Sequence, residues 1–166
     1  MARDLLALIL ALTVTVAAHA AGWIVEGRVV GVSDGDTITV LDDSKTQHKI
    51  RFAGIDAPEK GQAFGNASKE SLSRLVFNKR IEARCRKRDR YKREVCAVFV
   101  GSRDVGLEMV RAGMAWWFRE YSHEQGTQER LVYRDEGESA KAARRGLWKD
   151  PSPTPPWEWR KRERTL

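Results

Sequence analysis

The chain has 166 residues, with 30 Lys and Arg against 23 Asp and Glu and a formal net charge of +7. Hydrophobic residues make up 42% and charged ones 32%, which excludes a polytopic membrane protein and argues against a largely disordered chain. Two cysteines exclude a disulfide-framed miniprotein and a four-cysteine zinc site, and the basic balance favours a polyanionic partner.

Residues 1–20 read MARDLLALILALTVTVAAHA. Arg3 and the N-terminal amine give a positive start, residues 5–18 are apolar apart from Thr13 and Thr15, and Ala18-His19-Ala20 is a small-x-small cleavage signal. The stretch is short for a membrane span, which needs about 20 apolar residues. A secretory signal peptide cleaved near Ala20 is therefore expected, with an uncleaved anchor as the alternative. Cleavage would leave a periplasmic or secreted protein with no stable membrane association.

Residues 23–32 (WIVEGRVVGV) are rich in β-formers and end at the turn Ser33-Asp34-Gly35-Asp36. Residues 37–41 alternate as a strand, residues 42–45 form a polar hairpin turn, and 47–55 read as a third strand that Pro58 cannot extend. A helix is expected over 66–78, with Ala67, Leu72, Leu75 and Val76 on one stripe. Residues 80–86 and 95–100 read as a β-hairpin centred between Arg90 and Tyr91. That centre sets Cys85 opposite Cys96, close enough to bridge if the register holds, and export favours the bridge. Two reduced core cysteines are the alternative.

A second helix is expected over 104–112, capped by Asp104 and closed by Gly113, and a third over about 127–145, ending at Gly146. His48 and His123 look like surface residues. From Asp150 the composition shifts, and four of the five prolines fall within 151–156. Residues 150–166 are read as a Pro/Trp/Arg-rich tail with polyproline character. Trp157 and Trp159 either dock on the domain or help the tail hold nucleic acid. Strands followed by mixed helices point to a small barrel with helices attached.

Three segments carry residues suited to chemistry. In the first, Asp36 follows a glycine at a strand start, where a carboxylate can reach into a cleft; Asp-Gly-Asp is also a common hairpin turn. In the second, Arg51 lies within an otherwise apolar strand and is costly to bury without an anionic partner. Asp56 and Glu59 at that strand's exit can bind a hard cation through oxygen, or serve as ordinary turn residues. The third is Asp89-Arg90-Tyr91-Lys92-Arg93, at a hairpin tip rich in Arg and Lys. It reads as a phosphate-binding edge or as a solvated basic edge that discourages aggregation. Combined, the three segments supply what a phosphodiester site needs: oxygens for a metal, a carboxylate to activate water, and guanidiniums whose planar fork matches phosphate.

The motifs Asp-Gly-Asp-Thr, Arg-x4-Asp-x-Pro-Glu, Asp-x-Tyr-x-Arg and a late Gly-Leu-Trp together resemble the staphylococcal nuclease-like (thermonuclease) domain family over about residues 25–148. The resemblance implies an α+β fold, a five-stranded OB-type barrel with three α-helices, in a domain spanning residues 21–149. It implies Ca2+-dependent hydrolysis of DNA and RNA by a monomer, breaking the bond to the 5′-oxygen and leaving 3′-phosphates. Residue by residue, Asp36 and Asp56 would be carboxylate ligands of calcium. Ala57 would give its backbone carbonyl, where the best-known members have threonine. Glu59 resembles the general base, and Arg51 and Arg93 the arginines that clamp the phosphate. Tyr91 and Tyr121 match positions flanking the nucleotide pocket, with hairpin or core packing as their other reading. Asp89 would lie near the phosphate, or serve as a turn residue.

Two other functions fit parts of the pattern. One is a noncatalytic nucleic-acid-binding barrel, which needs basic and aromatic surface but not the set Asp36, Arg51, Asp56, Glu59 and Arg93. The other is a secreted protein-binding module with the Pro-rich tail as its ligand.

Overall fold

A computed structural model describes residues 22–165; the expected signal peptide lies outside them. In chain order the elements are β1 (Trp23–Val32), β2 (Thr37–Leu41), β3 (Gln47–Phe52), β4 (Ile55–Asp56), α1 (Gly65–Val76), β5 (Arg80–Arg88) and β6 (Glu94–Val100). Then follow β7 (Arg103–Asp104), α2 (Val105–Arg111), β8 (Trp116–Trp117), α3 (Thr127–Ala142) and α4 (Pro156–Glu163), with 3-10 turns at Arg119–Glu124 and Gly146–Lys149.

The strands alternate because one face must be dry. Along β1, Val25, Gly27 and Val29 are buried while Ile24, Glu26 and Arg28 face water. β1 pairs antiparallel with β2 on one side and β5 on the other, and β2–β3 and β5–β6 are antiparallel hairpins. A parallel pairing of β3 with β6, from Ile50↔Glu94 to Phe52↔Cys96, closes these five strands into a barrel. Closure leaves no open edge among them. The fold is thus the α+β, OB-type barrel expected. Its interior is filled by Val29, Ile38, Val40, Ile50, Phe52 and Val98.

The β5–β6 register sets Cys85 opposite Cys96, and the two are joined by a disulfide. The third expected strand is shorter than its hydrophobic run. It stops at Phe52, Gly54 turns at φ 74°, and β4 leaves the barrel to pair with β8. That break throws Asp56 and Glu59 out of the barrel wall and into a cleft.

α1 begins at Gly65, one residue before the expected start; of the expected stripe Leu72 and Val76 are buried and Leu75 packs against the core, while Gly65 and Ser68 extend the buried face. Ser68 Oγ donates to the Met114 carbonyl at 2.6 Å, tying α1 to the turn after α2. Gly35 explains how closely this helix approaches: a Cβ there would lie 1.8 Å from Ser68 Oγ and 2.8 Å from the Ala57 Cβ. The glycine of Asp34-Gly35-Asp36 thus makes room for α1 as well as serving a turn.

Residues 151–155 contain no helix or strand, in keeping with their prolines, but 156–163 form a fourth helix where a tail was expected. Pro156 occupies the first turn of α4, where its missing N–H is harmless, and is buried. Trp157 stacks on Phe118 at 5.4 Å and meets Trp116 edge-on at 5.6 Å. Among the described residues no helix is long and apolar enough to cross a membrane.

His48 proves to be more than a surface residue: its ring bridges Asp42 (Nε2–Oδ2 3.0 Å) and Glu94 (Nδ1–Oε2 3.1 Å). Burial pulls its pKa down, but the Asp42 hydrogen bond and the Glu94 carboxylate outweigh burial and raise it above the ordinary value. A raised pKa stabilises the fold below the unfolded value and loses that effect as pH rises through the folded one. The melting temperature is therefore expected to fall as pH rises from about 6.5, and His48→Gln should flatten that slope in a thermal-melting series. Gly35→Ala should lower stability by about 1–3 kcal/mol through overpacking against Ser68, read as a shifted urea midpoint.

Candidate active site

The β2–β3 pairing sets Thr37 opposite Arg51, and Phe52 N donates to the Asp36 carbonyl at 2.8 Å, so Asp36 sits beside Arg51 across the hairpin. The Arg51 side chain is only 14% exposed and Asp56 is fully buried. Arg51 Nη1 donates to the carbonyls of Phe52 (3.1 Å) and Ile55 (3.0 Å) and lies 3.2 Å from Asp36 Oδ2; Nη2 donates to Asp56 Oδ1 at 2.9 Å. Asp36 Oδ2 also accepts from Ala57 N at 2.9 Å, and Asp36 Oδ1 from the Thr37 hydroxyl at 3.0 Å. The apolar-strand arginine has thus found its anions, as burial of a charge demands.

Asp34 Oδ1 accepts from Asp36 N at 3.0 Å. Burial and then the neighbouring Asp36 carboxylate push the Asp34 carboxyl up to about 6. Burial likewise raises Asp56, against the pull of Arg160 and Arg51. Arg160 was not anticipated. From α4, its Nη1 and Nη2 pair with Asp56 Oδ1 (3.1 Å) and Oδ2 (2.7 Å), and Nη1 also pairs with Glu59 Oε1 at 2.7 Å.

The opposite wall is the β5–β6 hairpin. Asp89 Oδ1 accepts from the backbone of Tyr91 (2.8 Å) and Arg93 (3.0 Å), and Oδ2 from Arg93 Nε at 2.7 Å. Burial raises the Asp89 carboxyl, but the Arg93 contacts outweigh it and hold the group below the usual range. Asp89 therefore serves the turn, which it closes, and the same carboxylate orients Arg93. Tyr91 is 64% exposed, with the guanidiniums of Arg90 and Arg93 over its ring at 4.9 and 5.4 Å. Tyr121 packs against Phe118 at 4.9 Å and carries the Lys87 ammonium 5.0 Å from its ring.

These walls enclose a cleft of about 720 Å³. Asp36, Arg51, Asp56, Ala57 and Glu59 line one side, and Asp89, Tyr91, Arg93 and Tyr121 the other; Cys85 and Cys96 lie apart in the barrel wall. Trp157, Arg160 and Lys161 of α4, with Arg164 just past its end, add to the lining. The only sequence signal for them was a Trp-x-Trp-Arg run after the prolines, with nothing to say where it would dock.

Among the described residues, no three His, Cys, Asp or Glu side chains are already arranged as a metal cage. The donor chemistry nevertheless fits a hard cation. Asp34, Asp36, Asp56 and Glu59 outnumber the guanidiniums of Arg51 and Arg160, and the Asp36 carboxylate adds to burial in raising the Asp34 pKa. Carboxylate and carbonyl oxygens suit calcium or magnesium.

Comparison with known proteins gives the same picture. The family model described as "Staphylococcal nuclease homologue" matches residues 49–150. An uncharacterized endonuclease of Haemophilus influenzae is 43% identical over 137 residues, covering 82% of this chain and 74% of the relative. A micrococcal nuclease of Shigella flexneri is 38% identical over 144 residues, covering 81% and 80%. Protein ParB of Escherichia coli is 37% identical over 160 residues, covering 91% and 88%.

Arg51 and Arg93 differ in burial, so their removal should separate in stability. Arg51→Ala strips a buried pair and is expected to cost about 3 kcal/mol or more. Arg93→Ala removes a part-exposed pair and should cost under about 1 kcal/mol. Urea denaturation of both variants tests this, and equal midpoint shifts would refute it.

Proposed function

Since the chain belongs to the staphylococcal nuclease family and is a nuclease, we propose that it is an exported, Ca2+-dependent phosphodiesterase. It would cleave DNA and/or RNA with low sequence specificity, leaving 3′-phosphates. The observation that carries this reading is the cleft itself, where buried carboxylates face partly free guanidiniums beneath exposed tyrosines. A pure binder has no need of the buried carboxylates, which are costly to keep.

Asp36, Asp56 and the Ala57 carbonyl would hold the metal, Asp56 through the Oδ2 lone pair that Arg51 and Arg160 leave unused. A bound cation supplies positive charge to a phosphate oxygen and acidifies water. Glu59 accepts the proton of the attacking water. Arg51 uses both Nη1 hydrogens and one on Nη2 in the contacts above, which leaves its Nε–H and a second Nη2 hydrogen for phosphate oxygens. Arg93 uses Nε on Asp89, and its terminal Nη groups can receive the same phosphate. Such preorganised donors favour the charge that builds up during displacement. Tyr91 and Tyr121 offer ring faces to bases, which tolerates any sequence because every base has a π-face.

Export is supported by the apolar stretch 5–18 before a small-x-small signal and by the Cys85–Cys96 disulfide, since an oxidising compartment preserves such bonds. The working form would be a monomer, periplasmic or secreted after cleavage near Ala20.

The test is cleavage of single- and double-stranded DNA and RNA with calcium, with magnesium and with chelator. Calcium-dependent cleavage lost in Glu59→Ala is expected. Arg93→Ala should lower turnover by about two orders of magnitude, as for other charge stabilisers; wild-type turnover in that variant would remove Arg93 from the mechanism. A folded protein that binds nucleic acid without cleaving it would leave binding as the function.

A further inference from the structure

We propose that Arg160, carried by α4 beyond the matched family segment, is a positioning residue that holds the Glu59 carboxylate in its working orientation; this rests on the nuclease reading above. Glu59 lies outside regular structure, between β4 and α1, and its side chain is 37% exposed. A glutamate so placed loses several freely rotating bonds only if something holds it. Among the described residues, its carboxylate has one partner, Arg160 Nη1, at 2.7 Å.

Arg160 can hold it because it is itself held. Its fork grips both oxygens of the fully buried Asp56, a two-point contact that fixes the plane of the guanidinium. The helix behind it is anchored as well. Pro156 is buried, Trp157 packs against Phe118 and Trp116, and Gln62 Nε2 donates to the Thr154 carbonyl just before α4. Gln62 also accepts from Glu59 N through its side-chain oxygen at 3.1 Å, so one residue ties the Glu59 loop to the C-terminal segment.

The contact also leaves the carboxylate usable. Arg160 touches Oε1, whereas Oε2 has no partner among the described residues and stays open to accept a proton. A lysine at 160 would keep a charge near Asp56 but not the two-point grip, so its hold on Glu59 should be weaker.

The test compares wild type, Arg160→Gln, Arg160→Lys, Glu59→Gln and the Arg160→Gln/Glu59→Gln double variant in the full chain. Thermal melting establishes that each is folded. Arg160→Gln should lower kcat by about 10- to 100-fold, the usual effect of losing a residue that orients a reacting group. KM, and the Kd for single-stranded DNA measured by fluorescence anisotropy in chelator, should change by under about threefold, because one charge among many contributes little to phosphate affinity. Arg160→Lys should recover part of the lost kcat. In the double variant the losses should not add, because one residue acts through the other.

An Arg160→Gln kcat within about twofold of wild type, or a fully additive double variant, would overturn the inference. A raised kcat would do so too, by making α4 a brake. If wild type itself cleaves nothing, the nuclease reading falls and this inference with it, an outcome distinct from an active wild type matched by Arg160→Gln.

Discussion

The fully buried Asp56 carboxylate is the point about which the cleft is organised. A carboxylate without water must be met by donors, and here two guanidiniums meet it from opposite ends of the chain. Arg51 reaches it from the barrel wall and Arg160 from the C-terminal helix. Through Arg51 the same network includes Asp36 at the start of β2, and through Arg160 it includes Glu59. One buried charge therefore ties β2, β3, the segment after β4 and α4 into a single site.

The barrel makes that arrangement possible. The parallel β3–β6 pairing brings the Arg51 strand against the hairpin that ends in Asp89 and Arg93. With the Cys85–Cys96 bridge across the same hairpin, the walls of the cleft are held to the barrel rather than carried on free loops. The break after Phe52 then has a clear use. Gly54 turns the chain out of the sheet, so the next carboxylates project into the cleft instead of continuing the barrel wall.

The two arginines of the resemblance occupy different physical settings. Arg51 is a structural ion-pair partner, because its charge is needed by Asp36 and Asp56. Among the described residues, Arg93 has Asp89 as its one ion-pair partner, on a turn that Asp89 itself closes, and lies over the Tyr91 ring. α1 stands behind both carboxylate segments, and the missing side chain of Gly35 lets it pack there.

Much of this was readable without coordinates, for local reasons. Period-two alternation marks β1 and β2, polar turns mark their ends, and the hairpin centre brings Cys85 and Cys96 to neighbouring positions, though a bulge between Cys85 and Lys87 sets their final register. The pattern Asp36, Arg51, Asp56, Glu59, Arg93 was legible because Arg51 is a charge within an apolar strand and the others sit at a strand start, strand exit or hairpin tip, positions that short motifs specify. What the tertiary structure alone decided depends on contacts between distant segments. Arg160 meets Asp56 across a separation of 104 residues, and Gly35 is required by a helix that packs from elsewhere. No periodicity encodes either contact. The prolines indicated where the chain would turn from regular structure, but the docking of Pro156 and Trp157 decided that the following turn would be a helix with its arginine in the cleft. Hydrophobic spacing specifies which face of an element is buried, whereas the partner it is buried against is settled only when the whole chain closes.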